Sequence, residues 1–408
     1  MTAFIRSFFA GSGGWIGSAV LVSRLSSFLL TMFAARFIVK EDFGMAVLAL
    51  NFLGFFIPMT GLGNYQGMLR YGSMLEDDVQ RERLAAYSFT VGLWLQWVLN
   101  AAMIVLAGFI YRQQPEIVWI ICLLSVRFLG IYFLEHRKAE LRADFDNRKF
   151  SFLEIAHALF ALALGGLLSY FLGLRGYLIA LSVSPFVVLL FGLPKLNSRR
   201  PQLQINFKEF WRFSWITALT SQVSDWIFML DILLIGIYLS DASAAQYRVS
   251  SIIPMNLLAI GYIFLQTEYP KLCKYSHDRN YQLSYIKSYW RLMFIVSVAI
   301  IALGYPAAGL LLSLFGPQYT DASVFHILLW ATASSLLLRI PFGNMLASIG
   351  KSKWNLVIAL FLNALVLIGL VVVLPDYGLI GAAWLSVFSL TLSGVLSAAA
   401  YFHELKYI

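Results

Sequence analysis

Long apolar runs separated by short polar links follow one another along the whole chain. A helix needs about 20 apolar residues to cross the roughly 30 Å hydrocarbon core of a bilayer, and a window of that length finds twelve candidates. The predicted spans are residues 13–38, 43–65, 85–110, 116–136, 149–173, 176–194, 211–238, 244–268, 291–315, 322–346, 353–374 and 378–401. The pattern predicts an all-α integral membrane protein with about twelve transmembrane helices.

The amino-acid composition also indicates a membrane protein. Of the 408 residues, 60% are hydrophobic and only 12% are charged, too few to cover a soluble domain of this size. The two cysteines indicate no disulfide framework, because Cys122 lies in an apolar run and Cys273 in a basic link. The first apolar segment follows Arg6 without a small-residue cleavage site, so we expect a retained span rather than a signal peptide.

Basic residues predict the orientation of the chain. The N-terminus and the even-numbered links carry 21 Lys and Arg residues, whereas the other links carry only Lys40, Arg112 and Arg175. Because cytoplasmic links are enriched in Lys and Arg, both termini are predicted to be cytoplasmic. The same links account for the net charge of +9, so no nucleic-acid partner is expected.

A basic, proline-bearing stretch at the midpoint, LPKLNSRRPQLQINFKEF, separates six spans from six. We therefore predict two six-helix bundles, residues 1–198 and 199–408. Halves with an even number of spans share one orientation, and transporters built in this way move two bundles about a central cavity. The sequence predicts that arrangement here.

Three stretches carry a resemblance to a known family. They are the first hairpin ARFIVKEDFGMAV, the segment AAQYRVSSIIPMNLL and the C-terminal PDYGLIGAAWLSVFSL. They resemble polysaccharide-biosynthesis (O-antigen-type) flippases of the multidrug/oligosaccharidyl-lipid/polysaccharide (MOP) exporter superfamily. The resemblance implies a bacterial inner-membrane protein that moves undecaprenyl-pyrophosphate-linked repeat units for lipopolysaccharide or exopolysaccharide. It also implies contact with membrane lipids and with other membrane proteins of polysaccharide assembly.

Besides Arg36, which lies nearer a span end, the predicted spans contain four arginines at positions where a charge is costly and normally faces a polar interior. Arg24 shares its helical face with Ser27 and Thr31, and the other three are Arg127, Arg248 and Arg339. Arg339 shares a face with Thr332, Ser335 and Gly343, and Arg248 with Ala259, Tyr262 and Gln266. We predict that the four arginines, Ser27 and Thr31 line the central cavity and bind the anionic part of the substrate. Two alternatives remain open: Arg248 reaches the interface, and Arg127 ties to a backbone carbonyl or a carboxylate.

Span seven carries two acidic residues, Asp225 and Asp231. On a continuous helix they share a polar face with Thr217, Thr220 and Ser221. Three alternatives stay open for them: ion-paired struts, contacts to sugar hydroxyls, or an H⁺ or Na⁺ coupling site completed by Asn363 of span eleven.

No catalytic constellation emerges from the remaining residues. The five histidines show no metal-ligand spacing, and no phosphate-binding GxxxxGK[ST] loop occurs. We therefore expect no enzyme activity and no cofactor, with transport driven by gradients or substrate supply. One rival is a cation-coupled drug exporter of the same superfamily. The other, a membrane glycosyltransferase or polymerase, would normally present a large outer loop.

Overall fold

The computed structural model describes residues 13–197, 199, 201, 205–226, 229–275, 278–349, 351 and 353–406. Within these ranges every regular element is helical. The chain divides into two compact units, Met1–Gln222 and Val223–Ile408. The all-helical class predicted from the apolar runs is confirmed.

The first unit contains seven helices among its described residues. They are α1 (Gly13–Phe37), α2 (Lys40–Gly54), α3 (Asn64–Gly72), α4 (Asp78–Ile110), α5 (Pro115–Ala143), α6 (Asn147–Val183) and most of α7 (Phe207–Trp226). Two 3₁₀ segments, Ile57–Gly63 and Ser184–Phe191, follow α2 and α6.

The second unit contains six further helices among its described residues. They are α8 (Leu230–Tyr238), α9 (Asp241–Lys274), α10 (Arg279–Ser313), α11 (Ser323–Ser334), α12 (Ile340–Ser348) and α13 (Lys353–Glu404). A π-helical turn, Ser335–Arg339, joins α11 to α12.

Two of the longest helices fold back on themselves as hairpins, and each contains two of the predicted spans. Gly173 in α6 and Gly378 in α13 have φ values of 57° and 54°, a region that glycine enters at little cost, and each helix bends back at that residue. In α6 a Cβ at Gly176 would overlap the Leu168 carbonyl, although eight residues of straight helix span about 12 Å. In α13 the Leu385 side chain lies against Gly369 in the same way.

These hairpins complete the predicted number of spans. Eight described helical segments are long and apolar enough to cross a membrane, and the two hairpins each supply a second crossing. The broken α7–α8 segment and α9 follow the remaining two predicted spans. The twelve-span prediction is confirmed.

Span two is interrupted, which hydropathy does not indicate. Gly61, Leu62 and Gly63 all have positive φ, between 52° and 73°, and separate α2 from α3. The side chain of Gln96, buried in α4, accepts a hydrogen bond from the Gly61 backbone N–H at 2.9 Å. A buried side chain thus satisfies a backbone group that the broken helix exposes.

Close contacts explain why most of α7 groups with the first unit. A Cβ at Gly63 would lie 2.7 Å from Ala218 Cβ, and one at Gly67 would lie 2.9 Å from the Phe210 ring. Small residues allow α3 and α7 to approach to this distance. The unit boundary therefore lies after Gln222, later than the predicted boundary after residue 198. The division into six-helix bundles stays a prediction.

Aspartate caps begin three of the long helices. Asp77, Asp146 and Asp278 accept hydrogen bonds from backbone N–H groups in the first turns of α4, α6 and α10. At Asp146, hydrogen bonds from the Lys149 side chain and then from its backbone N–H hold the pKa of the carboxyl below its ordinary value. Side chains in the links thus determine where these spans begin.

Candidate functional site

A cavity of about 140 Å³ lies within the second unit, among α9, the α11–α12 segment and both arms of α13. A water molecule takes up about 30 Å³ in the liquid, so the cavity has room for several waters. Its polar lining residues are Tyr262, Arg339, Asn344, Asn355, Ser393 and Ser397, and its other lining residues are Ile340, Gly343, Ile358, Ala359 and Leu362.

A π-helical turn presents Arg339 to this cavity. In this turn the Ile340 N–H donates to the Ser335 carbonyl, five residues earlier instead of four. The next residue, Pro341, has no N–H, so it offers no donor to the carbonyls of the preceding turn. Single π turns are frequent at functional sites, and this one ends at the arginine that lines the cavity.

Donors from α10 satisfy two carbonyls of the π turn. The Tyr289 hydroxyl donates to the Leu336 carbonyl at 3.1 Å, and the Trp290 indole N–H donates to the Leu337 carbonyl at 2.7 Å. In a helix these two carbonyls would accept from the N–H of residue 341, Leu336 in a π-helical turn and Leu337 in an α-helical turn. Residue 341 is proline and has no N–H to donate. The turn is therefore supported from a neighbouring helix.

The second arm of α13 closes the cavity from another side. A Cβ at Gly394 would overlap the Leu338 side chain and lie 2.7 Å from the Arg339 backbone nitrogen. Glycine at this position permits the arm to touch the π turn. Ser393 and Ser397, 5% and 4% exposed, lie on the same arm and line the cavity with Arg339.

The cavity presents hydrogen-bond donors around one positive charge. Its described lining residues include a guanidinium, a phenol, two hydroxyls and two amides, and none of these described residues is a carboxylate. The Asn355 amide donates to the Gly343 carbonyl at 2.7 Å, and the Asn344 amide to the Ile340 carbonyl at 2.8 Å, which hold both side chains in place. Arginine binds phosphate and carboxylate oxygens through paired N–H groups, so this arrangement suits a compact oxyanion.

Only some of the residues predicted to share a helical face with Arg339 or Arg248 lie near that arginine. Gly343 lines the cavity beside Arg339, as the helical spacing predicts. Thr332 instead donates to the Pro254 carbonyl at 3.0 Å, because the π turn between Thr332 and Arg339 shifts the helical phase. Tyr262, predicted on the Arg248 face, lines the Arg339 cavity, of which Arg248 is not a lining residue.

The Arg24 face lies outside the packed interior of the first unit. Arg24 and Ser27 are exposed and Thr31 is half-buried, with its hydroxyl donating to the Ser27 carbonyl at 2.8 Å. A neighbouring side of α1 packs on α6, where Leu30 lies against Gly165. A role in substrate binding stays a prediction for these three residues.

Arg127 has a backbone partner. Its guanidinium donates to the Leu181 carbonyl at 2.6 Å and lies 3.5 Å from the Ser184 hydroxyl. These residues lie at the C-terminal end of α6 and the start of the following 3₁₀ segment. The observed geometry matches the structural alternative, a tie to a carbonyl, and ligand contact by Arg127 stays a prediction.

Asp231 is 8% exposed and lies at the start of α8. Its carboxylate accepts from the Ile232 N–H at 2.8 Å and forms a hydrogen bond with Tyr247, whose hydroxyl also lies 3.0 Å from that of Ser386. Arg248, which is exposed, interacts electrostatically with the same carboxylate. An arginine and a carboxylate predicted separately are thus brought together.

The polar strip predicted for span seven is interrupted. α7 ends at Trp226 and α8 begins at Leu230, so one helical wheel cannot place Asp225 and Asp231 on a common face. Asn363 donates to the Val223 carbonyl at 2.7 Å, close to the end of α7. The side chain of Asp225 lies outside the described residues.

An ionic cluster between α5 and α6 is missing from the sequence-based prediction. Lys138 Nζ lies 3.0 Å from Glu135 Oε1 and 2.5 Å from Glu154 Oε2. The predicted span ended at residue 136 and placed Lys138 in a link, whereas α5 continues to Ala143. The i,i+3 spacing of Glu135 and Lys138 was the available signal. Among the residues that the structure describes, no group of three His, Cys, Asp or Glu side chains could hold a metal ion.

Comparisons with known proteins agree with this architecture. A family model described as a polysaccharide biosynthesis protein matches residues 33–324. No curated relative matches the chain by sequence. Among solved structures, the lipid II flippase MurJ in an inward closed conformation matches with a TM-score of 0.74 at 13% identity, covering 94% of this chain and 86% of that one.

Two further structures share the fold. An inward-facing multidrug resistance MATE family transporter of the MOP superfamily matches with a TM-score of 0.72 at 15% identity, covering 94% and 95% of the two chains. A MOP superfamily transporter from Pyrococcus furiosus, described as having a binding pocket of reverse polarity, has a TM-score of 0.65 at 15% identity, covering 95% and 93%. At these identities the similarity shows the fold alone.

Proposed function

Because the chain belongs to the polysaccharide biosynthesis protein family and has the fold of MOP-superfamily transporters, we propose that it flips undecaprenyl-pyrophosphate-linked oligosaccharide repeat units across the bacterial inner membrane. In this proposal both termini are cytoplasmic, and the protein alternates its access between the two sides. Its partners are the lipid-linked oligosaccharide, the surrounding lipids and other membrane proteins of polysaccharide assembly.

The observation that carries the proposal is the donor-lined cavity around Arg339. A lipid-linked oligosaccharide has an anionic diphosphate and a polar glycan, and both must pass the hydrocarbon core without losing their hydrogen bonds. A guanidinium, hydroxyls and amides, with no carboxylate among the lining residues that the structure describes, match both chemistries. A cavity for cationic cargo would need the opposite charge.

The remaining predicted residues have subsidiary roles in this proposal. Arg24, Ser27 and Thr31 provide an exposed polar face on α1 that contacts the anionic part of the cargo. Arg248 and Asp231 form a charged pair whose carboxylate couples transport to H⁺ or Na⁺. The arginine-lined cavity predicted between the two six-helix halves stays a prediction.

A deletion strain tests the proposal. Loss of the protein should reduce surface polysaccharide and cause the lipid-linked repeat unit to accumulate on the cytoplasmic side. Complementation by Arg339→Ala should fail and by Arg339→Lys should succeed partly, because lysine keeps the charge but loses the paired N–H donors. Arg279→Ala, which removes an exposed arginine at the start of α10, serves as the matched control and should complement fully. Normal glycan and intermediate levels in the deletion strain would disprove the proposal.

A second candidate function is cation-coupled export of small molecules. Its support is the buried carboxylate of Asp231 together with the MATE-type neighbours. Drug sensitivity of the deletion strain with unchanged surface glycan would favour this function over the flippase.

A further inference from the structure

The π turn that ends at Arg339 depends on two side chains from a helix outside the cavity lining. Tyr289 is 4% exposed, and its hydroxyl donates to the Leu336 carbonyl. Trp290 packs edge-on against Phe342, with ring centroids 5.6 Å apart, and its N–H donates to the Leu337 carbonyl. Neither residue lines the cavity. Their hydrogen bonds end on the turn that presents the guanidinium.

The backbone explains why donors are needed at these carbonyls. The Ile340 N–H is bonded to Ser335, and Pro341 has none to offer. A carbonyl without a partner inside a membrane protein is costly. On a regular α-helical path the Ile340 N–H would bond to Leu336 instead of Ser335, so loss of the Tyr289 donor favours that path. The Leu337 carbonyl would face Pro341 on the α-helical path, so Trp290 supplies a donor that the helix itself does not provide. A regular α-helical path would rotate residue 339 by about 100 degrees relative to the preceding turn. Arg339 would then leave the face that it shares with Ser393 and Ser397.

We propose that Tyr289 and Trp290 are positioning residues for the cavity: by donating to the Leu336 and Leu337 carbonyls they keep the π turn and so aim Arg339 at a bound phosphate oxyanion. The inference rests on the proposed function in one respect, because it takes the ligand of Arg339 to be an oxyanion. The second arm of α13 also contacts the turn, because Gly394 has no Cβ and packs directly against Leu338 and the Arg339 backbone nitrogen.

The test uses the full chain purified in lipid nanodiscs, with inorganic pyrophosphate as the probe. Trp290→Phe removes the N–H but keeps a ring against Phe342, and Tyr289→Phe removes only the hydroxyl. Each should weaken pyrophosphate binding about tenfold, and the double variant should weaken it further. Trp354→Phe is the matched control, because it removes another indole donor of the same unit that is not bonded to the π turn. The Trp354 indole N–H donates to the Glu404 carboxylate at 2.9 Å. This variant should leave binding unchanged.

A second measurement follows the direction of residue 339 without any ligand. In a background with Cys122→Ser and Cys273→Ser, the Arg339→Cys protein should react with a water-soluble anionic thiol reagent at the rate of a cavity-lining group. Adding Trp290→Phe or Tyr289→Phe should lower that rate severalfold, and adding Trp354→Phe should not. Unchanged reaction rates in both π-turn variants would overturn the positioning role.

The outcomes separate this inference from the proposed function. If Arg339→Ala abolishes pyrophosphate binding but Trp290→Phe and Tyr289→Phe lower only the melting temperature, the two donors are merely structural and the inference is wrong. If Arg339→Ala itself binds pyrophosphate normally, the oxyanion assignment of the cavity is wrong, whatever the thiol reaction shows. Loss of binding together with slower labelling, both absent from the Trp354 control, would support the inference.

Discussion

At the residue scale, intramembrane arginines that look alike in the sequence have different surroundings. Arg24 is exposed on α1, whereas Arg127 donates to the Leu181 carbonyl at 2.6 Å. Arg24→Ala should therefore lose most glycan export at near-normal abundance, and Arg24→Lys should keep part of it, because lysine lacks the planar fork. Abundance, melting temperature and surface glycan are measured together. Full export by Arg24→Ala would show that the charge does not serve the substrate.

Arg127→Ala provides the contrasting case. Truncation removes the short hydrogen bond from the guanidinium and leaves the Leu181 carbonyl only the longer one from the Ser184 hydroxyl at 3.3 Å, a loss of about 1–3 kcal/mol in the free energy of unfolding. We expect a lower melting temperature and lower abundance, with export falling in proportion to the amount of protein. Loss of export at unchanged stability would instead restore the predicted ligand role of Arg127.

Asp231 supplies a prediction about coupling. Its carboxylate is buried and bonded to Tyr247, with Arg248 nearby. Asp231→Asn keeps the size and hydrogen-bonding capacity but removes the charge, so reconstituted transport should lose its response to a proton or sodium gradient. A wild-type response to both gradients would rule out coupling at Asp231.

At the element scale, close packing between α3 and α7 depends on missing side chains. A Cβ at Gly67 would overlap the Ser214 hydroxyl and lie 2.9 Å from the Phe210 ring. Gly67→Ala should therefore destabilise the protein by about 1–3 kcal/mol, as overpacking does. Gly108→Ala in α4 is the matched control, because nothing lies within 4 Å of its Cβ position and alanine favours helices. The melting temperatures of the two variants are compared by thermal unfolding. Equal melting temperatures for Gly67→Ala and Gly108→Ala would refute the close contact at Gly67.

At the scale of the whole molecule, topology follows from charge and from the two glycine hairpins. Reporter fusions after Lys195 and Lys406 should both report the cytoplasm, because 21 basic residues lie in the N-terminus and the even-numbered links. A fusion after Asp376, just before the bend at Gly378, should report the outer side. An outer signal at Lys195 or Lys406 would contradict the twelve-span topology.

The number and approximate positions of the spans were accessible from the sequence alone. Hydropathy predicts spans well because backbone groups in a bilayer must form their hydrogen bonds within a helix, and the side chains that face lipid must be apolar. Residues 13–38 were predicted as the first span and Gly13–Phe37 is the helix observed. The PDYG link between two apolar runs likewise indicated the bend in α13 at Gly378.

Breaks inside spans were decided by tertiary structure. The interruption at Gly61–Gly63, the gap between Trp226 and Leu230, and the π turn before Ile340 all lie in apolar sequence. The first and the third have partners distant in the chain, Gln96 for Gly61 and Trp290 for Leu337. A helical wheel assumes a continuous helix, so it could not group Asp225 with Asp231 or place Thr332 correctly.

The sequence by itself determined that Arg339 lies within a span and shares a face with Gly343, because local spacing sets helical faces. The tertiary structure decided that Tyr262, Asn355, Ser393 and Ser397 surround that arginine. These residues come from α9 and from the two arms of α13, and no local pattern records that these three helical segments meet around Arg339. The cavity forms because Gly394 lets the second arm of α13 touch the π turn, a contact set by packing in three dimensions.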